Sequence, residues 1–526
     1  MKKATLKLLL VFAGAILFNI IFWQEKMAIN ALLFDAFILL SVFYLYPSAM
    51  AKPGVKWLLL LHAVAMVSLI ANNTDLSKLA FCITLLLLVV FVQYLHRSVW
   101  YAAASAMGNY LLIGFSLSQN LRMLSQQRFK ATGFNKILRL LFIPLLICTL
   151  FFIIYLASNS VLGDLVNSFD IALQQFINRL FGQFNWQRFG FFLTGIIACA
   201  GLLLNMRSNI FSDRELKKRN DMQRNKAGLQ GWRKTVVYDV LILFRGQYTN
   251  AVMALQNENS IGIISLALLN ALLLLVNVID VIYVWLGFKY NSYTNLSVQV
   301  HEGTGMLIFS IVLAMMVLLF FFRGNLNFYK KNKWLRYGAY GWILQNALLV
   351  VSVFLRDFYY IQYMGLTYKR IGVLLFLLMV LFGLMTVFIK IHQLKTSYYL
   401  WRVNGWFALV LLVAASCVHW DQNIARYNIA HKDTVPLDIR FLLSLSDKTL
   451  PLIEQDKFVL NKNVPIPGNT EYYPYGPKLT PMQMFEKRKA VFFAKQKTYS
   501  WLSWNMSDQF VKNNLSQIDK KTAQVK

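Results

Sequence analysis

The sequence predicts an all-α fold: a polytopic transmembrane helical bundle of about 11–12 spans with a small extracytoplasmic C-terminal tail. Of its 526 residues, 57% are hydrophobic and only 14% charged, whereas soluble domains are about a quarter charged. Apolar runs of roughly 18 or more residues recur along most of the chain, and each can cross the hydrocarbon core as a helix. A membrane β-barrel would instead show alternating segments of about ten residues.

Eleven segments have the length and composition of a span. They cover residues 6–23, 29–46, 55–71, 76–95, 137–157, 189–205, 261–286, 303–322, 337–355, 371–391 and 404–419. A further segment at 100–117, "WYAAASAMGNYLLIGFSL", is ambiguous. Counting spans from either side puts both of its flanks in the cytoplasm, so we expect it to be non-crossing or re-entrant unless another span is wrong.

The formal net charge of +30 is concentrated in short segments between apolar runs. The loop 207–234 carries nine Lys or Arg against three acids, and 323–336 carries five cations and no acid. Both loops are therefore expected in the cytoplasm, with the N-terminus, and everything after about Trp420 in the periplasm. Anionic headgroups of a bacterial cytoplasmic (inner) membrane are the expected partners of these loops, which explains the charge without nucleic acid.

Four regions follow from this count: N-terminal helices with the ambiguous segment (1–136), two spans with the basic loop (137–258), a C-terminal bundle (259–420) and the tail (421–526). The tail opens with an amphipathic stretch, continues through a Pro-, Gly- and Tyr-rich stretch at 464–481, and then forms a basic amphipathic helix. The last dozen residues are polar and are expected to be disordered.

Polar residues interrupt several apolar runs. Asn270, Asn277 and Asp280 share one stripe of a helix, which must face protein or water and not lipid. The stripe is either a proton- or ligand-handling site centred on Asp280 or a hydrogen-bonded seam between two helices, and we favour the seam. Asp35 is a lone carboxylate for which the sequence names no partner.

Two further stretches combine polar residues near predicted span ends. In "LRDFYYIQYMGLTYKRIG" (355–372), the charged side chains could bind an anionic headgroup or a periplasmic ligand, and Thr367 could cap the next helix. His301 and Glu302 stand at a helix entrance, but the spacing is not HExxH and no second His follows, so the sequence does not favour a zinc protease. The four cysteines are isolated, and no metal or cofactor is expected. The stretch "CVHWDQNIARYN" (417–428) follows the last predicted span and contains the polar residues Asp421 and Asn428.

Several motifs resemble a known bacterial family: "YMGLTYKRIGVLLF", "WRVNGWFALVLL", "NIARYN" and "LDIRFLLSLSDKTLPLI", in this order. The family consists of multi-spanning membrane proteins named domain of unknown function 4173, related to 4153. The resemblance implies a bacterial inner-membrane protein but no reaction. It singles out Gly365, Thr367, Arg370, Asn404, Asn423, Arg426, Asn428, Asp438, Leu442, Ser444 and Leu445, with Asp421 as the acidic residue near "NIARYN".

Three hypotheses for function remain open. The first is a non-enzymatic sensor, regulator or scaffold that acts with a protein partner through the tail. The second is a transporter using the polar site around Asp280, and the third is an enzyme on a lipid or lipid-linked substrate at the outer surface, for which no nucleophile–base–orienter set is visible. The candidate functional residues are Asn270, Asn277, Asp280, His301, Glu302, Arg356, Asp357, Thr367, Arg370, Asn404, Asp421, Arg426 and Asn428.

Overall fold

The computed structural model describes residues 2–124, 185–206, 209–224, 254–286, 296–322, 325–457 and 480–525, with most of 144–169 and Leu460. Within these ranges the chain is helical and has no β-strand beyond an isolated bridge between Asp221 and Lys395. The all-α class is confirmed. Three predicted features lie largely outside the described residues: the span 137–157, the second half of the basic loop 207–234, and the stretch 464–481.

The helices are numbered here in chain order. The first eight are α1 (Lys2–Phe22), α2 (Ile29–Leu45), α3 (Pro53–Asn72), α4 (Asp75–Tyr94), α5 (Val99–Leu111), α6 (Ile113–Leu124), α7 (Trp186–Leu203) and α8 (Ile210–Leu216). The next six are α9 (Ala254–Asp280), which a π-helical turn extends to Leu286, then α10 (Leu296–Phe321), α11 (Lys333–Met364), α12 (Tyr368–His392), α13 (Ser397–Ser416) and α14 (Trp420–Ala430). The tail adds α15 (Ile439–Ser444), α16 (Leu450–Gln455), α17 (Pro481–Thr498) and α18 (Met506–Val525).

Local sequence sets several helix starts. The side chain of Thr74 accepts from Ser77 N–H at the start of α4, and Asp438 accepts from Phe441 N–H at the start of α15. These oxygens satisfy N–H groups that have no partner inside the helix. Pro53 occupies the first turn of α3, where its missing N–H costs nothing.

Among the residues that the structure describes, eight helices are long and apolar enough to cross a membrane. They are Ala4–Phe22, Pro53–Asn72, Asp75–Tyr94, Trp186–Leu203, Leu255–Leu286, Lys333–Met364, Tyr368–His392 and Ser397–Ser416. Two shorter apolar helices, Ile29–Leu45 and Gly305–Phe321, and a pair bent by 112°, Ile147–Leu156 with Val161–Phe169, fall on the other predicted spans. Every one of the eleven predicted segments thus overlaps an apolar helix or helix pair.

The ambiguous segment 100–117 forms two short helices. Helix α5 has 13 residues and α6 has 12, and a single crossing needs about 20. Neither helix is long enough to span by itself, which agrees with a non-crossing segment, and its course relative to the membrane stays a prediction.

One compact unit comprises residues 1–97, 101–215 and 496–507. Its helices α1 and α7 approach closely at Gly14, where a Cβ would lie 2.8 Å from Cys199 Sγ. The two helices are antiparallel: Lys7, near the start of α1, binds Asn205 after the end of α7, while Arg188 donates to Asn19 at the opposite ends over 3.1 Å.

The second unit comprises residues 98–100, 216–495 and 508–526. Helix α11 is its central element and packs against α9, α10 and α12. Fully buried apolar side chains fill the space between these helices, and they include Leu266, Ile311, Leu318, Leu335 and Ala339. The sequence regions 1–136, 137–258, 259–420 and 421–526 stay a prediction.

The tail has its own apolar core within the second unit. Leu450 of α16, Phe485 of α17, and Val511 and Leu515 of α18 are fully buried there. The expectation that the last dozen residues are disordered is wrong up to Val525, because α18 continues to that residue. Val511 and Leu515 lie four apart, so one face of this polar helix packs against α17.

Candidate functional site

The turn between α11 and α12 is bound to α14 by a reciprocal pair of hydrogen bonds. Leu366 N–H donates to Asn428 Oδ1 over 2.7 Å, and Asn428 Nδ2 donates back to Leu366 O over 2.9 Å. Asn428 is buried. One amide supplies both a donor and an acceptor, so a single side chain satisfies both backbone groups of Leu366. We call the turn residues 365–370, with Asp421 and Asn428, the clasp.

Gly365 adapts the turn to this contact. Its φ is +82°, a region that favours glycine, and a Cβ there would lie only 2.6 Å from Asn428 Oδ1. The preceding helix ends on it, with Gly365 N–H donating to Ile361 O. A side chain at this position would strain the backbone and displace the Asn428 amide at the same time.

Arg370 binds the backbone of the turn through its buried side chain. Its guanidinium Nη1 donates to Met364 O over 2.9 Å and also to Gly365 O, and its carbon lies 3.9 Å from the centre of the Tyr360 ring. The side chain is only 8% exposed. Two carbonyl acceptors and an aromatic face therefore hold a buried cation at the end of α11.

Asp357 lies one turn before Tyr360 in α11 and is buried. Its charge interacts electrostatically with Arg370, and its Oδ2 has no hydrogen-bond partner among the described residues. Thr367 occupies the N-cap position of α12, as the sequence predicts, but its side chain makes no capping hydrogen bond. The backbone of the turn, held by Asn428 and Arg370, carries the contact instead.

Asp421 joins the clasp through Tyr368, whose hydroxyl donates to Asp421 Oδ1. Beside it, Trp420 Nε1 donates to Ala415 O over 2.8 Å and fixes the start of α14. Burial lowers the pKa of the His419 imidazole, the charge of Lys448 lowers it further, and Asp421 opposes both effects. This imidazole is therefore held neutral more strongly than a solvent-exposed one.

An apolar layer supports these polar contacts. Ile371 at the start of α12 packs with Ile424 and Ala425 of α14 and with Leu437 and Leu442 of the tail. Ile424 and Ala425 are fully enclosed. The clasp and this layer together connect the membrane helix α12 to the first tail helices.

A family model described as domain of unknown function (DUF4153) matches residues 34–455. The chain belongs to this family. The number 4173, suggested by the motifs, is not confirmed, and the related number 4153 is the one that matches. No curated protein and no solved structure matches the sequence.

The DUF4153 match contains the clasp and ends at Gln455, the last residue of α16. It also contains the polar stripe of α9, which faces α11. Asn270 Nδ2 donates to Gly338 O over 2.9 Å, Gln345 Nε2 donates to Asn270 Oδ1 over 3.0 Å, and Asn277 Nδ2 donates to Gln345 O over 3.1 Å. This is the hydrogen-bonded arrangement that the seam interpretation requires.

An ion pair ends the seam on the clasp side. Arg356 of α11 donates to Asp280 Oδ1, and the two side chains are 25% and 5% exposed. In the following π-helical turn, Trp285 Nε1 donates to Ser352 Oγ over 2.9 Å. Asp280 is thus engaged by a cation one helix away, which the sequence did not pair with it.

The other candidates lie apart from these two groups. Asn404 Nδ2 donates to Thr386 Oγ1 over 2.8 Å and links α13 to α12. Arg426 is exposed on α14. His301 and Glu302 belong to α10, but their side chains lie outside what the structure describes. The structure therefore divides the candidates into the clasp with Asp357, the seam with Arg356, and separate residues.

The sequence reasoning missed contributors to both groups, among them Gln345 in the seam and Tyr368 in the clasp. Gln345 could have been found, because it precedes Ser352 by seven residues and Arg356 by eleven, a polar stripe along α11. Tyr368 carried no signal within a tyrosine-rich stretch. No set of three or more His, Cys, Asp or Glu side chains in the described part of the chain could hold a metal ion.

In the first unit, a serine, a histidine and a glutamate contact one another in series, as a nucleophile, a base and an orienting acid do. The sequence analysis did not detect this cluster. His96 Nε2 lies 2.8 Å from Ser105 Oγ, and His96 Nδ1 lies 2.6 Å from Glu215. Arg97 N–H donates to the same carboxylate over 3.2 Å. Ser105 is fully enclosed. The cluster joins the turn after α4 to α5 and α8, and the side chains of His96, Ser105 and Glu215 are all buried.

Proposed function

We propose that the protein is a non-enzymatic component of the bacterial inner membrane, a sensor, regulator or scaffold that acts with a protein partner through its C-terminal tail. The observation that carries this proposal is the clasp. Asn428 and Arg370 bind backbone groups of the chain itself, and Asp421 binds Tyr368. The polar side chains that mark this end of the bundle thus hold the tail in place, as a scaffold requires.

The tail offers a surface for such a partner. Helix α17 buries Phe485 and Phe492 but leaves Met484 and Val491 exposed by 41% and 43%. These two residues are seven apart and share a face of the helix. Basic residues, among them Lys487 and Lys495, flank this face, so the partner we propose has an apolar stripe bordered by acids.

The contacts within the second unit support a periplasmic tail. Thr396 N–H donates to Asn220 O over 2.8 Å, and Asn259 Nδ2 donates to Lys331 O over 3.5 Å, so parts of both basic loops lie at the same ends of the helices. The clasp lies at the opposite ends. A cytoplasmic position for the basic loops therefore requires a tail on the outer side.

The first unit gives independent support of the same kind. Its tail segment is bound to the turn between α1 and α2, where Ser503 Oγ donates to Glu25 and Ser500 N–H lies 3.2 Å from Glu25 Oε1. This turn follows one crossing from the N-terminus. A cytoplasmic N-terminus therefore again requires an outer tail.

Anionic lipid headgroups are proposed partners of the two basic loops. Lys330, Lys331 and Lys333 are exposed in the loop 323–336, and Trp334 beside them is 74% exposed. Exposed cations next to an exposed aromatic ring are typical of the membrane–water interface.

Photo-crosslinking in native membranes tests the partner. A crosslinking residue is placed at Met484 or Val491 of the full chain, with Met385, a 58% exposed residue of the membrane helix α12, as the matched control. We expect one defined protein to be captured from both tail positions and not from the control position. If neither tail position captures a protein from intact, folded chain, the partner proposal fails.

Reporter fusions test the orientation separately. A periplasm-active reporter after Lys526 should be active, and the same reporter after Arg336, at the end of the second basic loop, should be inactive. A cytoplasmic C-terminus would refute the proposed orientation.

The transporter and the lipid-linked enzyme remain the alternatives, with less support. Asp280, the residue on which the transporter depends, is paired with Arg356 at the end of the seam. The enzyme would need reactive groups on the outer surface, and Asp421 there is engaged by Tyr368.

A further inference from the structure

Three polar side chains meet between α2, α3 and α4 in the first unit. Asp35 Oδ1 lies 2.9 Å from His62 Nε2, and His62 Nδ1 lies 2.8 Å from Thr84 Oγ1. All three are buried, with exposures of 3%, 1% and 0%. His62 and Thr84 are each the tenth residue of a 20-residue helix, so the group lies near mid-membrane. The lone carboxylate of the sequence thus has a histidine partner from another helix.

The direction of each hydrogen bond follows from the proton of Thr84. Its hydroxyl donates to Ala80 O, one turn back in α4, over 2.7 Å. A hydroxyl has one proton, so Thr84 Oγ1 must accept from His62 Nδ1–H. His62 then reaches Asp35 with Nε2, and a hydrogen bond there needs a second proton. That proton belongs either to the carboxyl group of Asp35 or to an imidazolium.

In both forms the pair has no net charge. The opposite assignment, in which Thr84 donates to Nδ1 and Nε2–H donates to ionised Asp35, would leave a net negative charge. In hydrocarbon such a charge is expensive unless it is paired. The opposite assignment would also remove the hydrogen bond that the Thr84 hydroxyl donates to Ala80 O.

An aromatic ring packs beside the pair: the centre of the Phe81 ring lies 5.2 Å from that of His62. The charged residues of the neighbouring helices lie towards helix ends: Lys2, Lys3 and Lys7 of α1, Lys56 of α3, Asp75 and Lys78 of α4, and Arg188 of α7. The other titratable residues of these helices are the thiols Cys82 and Cys199 and, at helix ends, Tyr44 and Tyr94. Among the described residues, His62 makes polar side-chain contacts with Asp35 and with Thr84.

We propose that Asp35 and His62 form an intramembrane proton-binding site. Folding of the first unit places one exchangeable proton between Asp35 Oδ1 and His62 Nε2, in addition to the one on Nδ1. Loss of this proton leaves a negative charge among α2, α3 and α4, so the packing of these helices depends on its presence.

Proton counting gives the test. Above pH of about 6.5 the unfolded chain has a neutral His62 and an ionised Asp35, so the folded pair holds one proton more. Between about 3.9 and 6.5 the unfolded imidazole also holds one proton, so the pair adds no pH slope there. Above about 6.5 unfolding releases one proton, so in this window the unfolding equilibrium constant should rise with pH by up to about tenfold per unit.

The experiment compares unfolding of the full chain in detergent micelles across this window. Asp35→Asn keeps a donor for Nε2 but removes the acid, so the extra pH slope should disappear. Asp75→Asn, an exposed carboxylate in α4, is the matched control and should keep the slope. Equal slopes in the parent chain and in Asp35→Asn would overturn the proposal.

A second measurement does not depend on a folded Asp35 variant. In chain labelled with ¹⁵N-histidine and reconstituted in vesicles, His62 is identified by the signal that His62→Gln removes. At neutral pH we expect Nδ1 to be protonated. An unprotonated Nδ1, with the proton on Nε2, would show that Thr84 is the donor and that no additional proton is bound.

Discussion

The seam and the clasp both join elements of the second unit through polar contacts, but they are built differently. The seam repeats one kind of contact along α9 and α11, with amides bound to backbone carbonyls at Gly338 and Gln345. The clasp concentrates its contacts at one turn, where Gly365, Asn428 and Arg370 depend on one another.

The difference teaches where the fold tolerates change. Each hydrogen bond in the seam is worth about 0.6 kcal/mol in a membrane, and the apolar packing of Leu266 and Leu335 holds the helices even without one of them. The clasp has no such repetition, because one backbone conformation supports all of its contacts. We therefore expect changes in the clasp to detach the tail and changes in the seam to weaken the bundle gradually.

The largest effect is expected from Gly365→Val. A β-branched residue at φ +82° is strained, and its Cβ would collide with Asn428 Oδ1. The added backbone strain and the loss of the Leu366–Asn428 hydrogen bonds should together lower the free energy of unfolding by about 4 kcal/mol. Limited proteolysis should release the tail while the membrane helices stay intact.

A double-mutant cycle with the smaller Gly365→Ala separates the two causes. Asn428→Ala removes the atom with which the new Cβ collides, so Gly365→Ala should cost less in that background. Equal costs in both backgrounds would mean that the collision plays no part and that only the backbone conformation matters.

The second largest effect is expected from Arg370→Met, at about 3 kcal/mol. It removes the donors to Met364 O and Gly365 O and leaves buried Asp357 without the neighbouring cation. Arg370→Lys, which keeps the charge but not the planar fork, should fall between Met and the parent chain. Thermal unfolding in detergent measures the stability of both variants. If Arg370→Met lowers stability less than a seam variant does, the proposed difference between the clasp and the seam is contradicted.

Smaller effects are expected in the seam. Asn277→Ala should lower stability by about 0.6 kcal/mol, and Asn270→Ala by somewhat more because Gln345 then loses an acceptor. The tail should remain resistant to protease in both variants. Tail release by either one would show that the seam and the clasp are not independent.

The smallest effect concerns pH. The folded pKa of His419 is lowered, so its contribution to stability is complete above the unfolded pKa of about 6.5 and declines as the pH falls through that value. His419→Gln should remove this decline on the acidic side. Protease release of the tail, followed between neutral and mildly acidic pH, measures it, and an unchanged profile in the variant would refute the assignment.

Prediction from sequence succeeded where the signal is carried by consecutive residues. The apolar runs predicted the helices because length and hydropathy decide whether a segment can lie in hydrocarbon. The triplet Asn270, Asn277 and Asp280 was recognisable for the same reason, as a stripe of one helix. The helix α18 was missed because its sequence is mostly polar, and the burial of Val511 and Leu515 depends on packing with Phe485.

The candidate site could be predicted only in part. Arg370, Asp421 and Asn428 stood out as polar residues close to predicted span ends, but Tyr368 and the positive φ of Gly365 carried no signal. A side chain's partner is not encoded near it in the chain. Asn428 binds a residue 62 positions away, and Glu215 binds one 119 positions away.

The sequence by itself determined the helical class, the position of each apolar segment and the segregation of basic residues into loops. These properties follow from transfer of single segments between water and hydrocarbon, so they need no knowledge of neighbours. Only the tertiary structure decided that Asp280 meets Arg356, that Asp35 meets His62 and that Asn428 holds the turn at Gly365. Such pairings depend on which helices pack together, and the hydrophobic pattern is nearly the same for every helix.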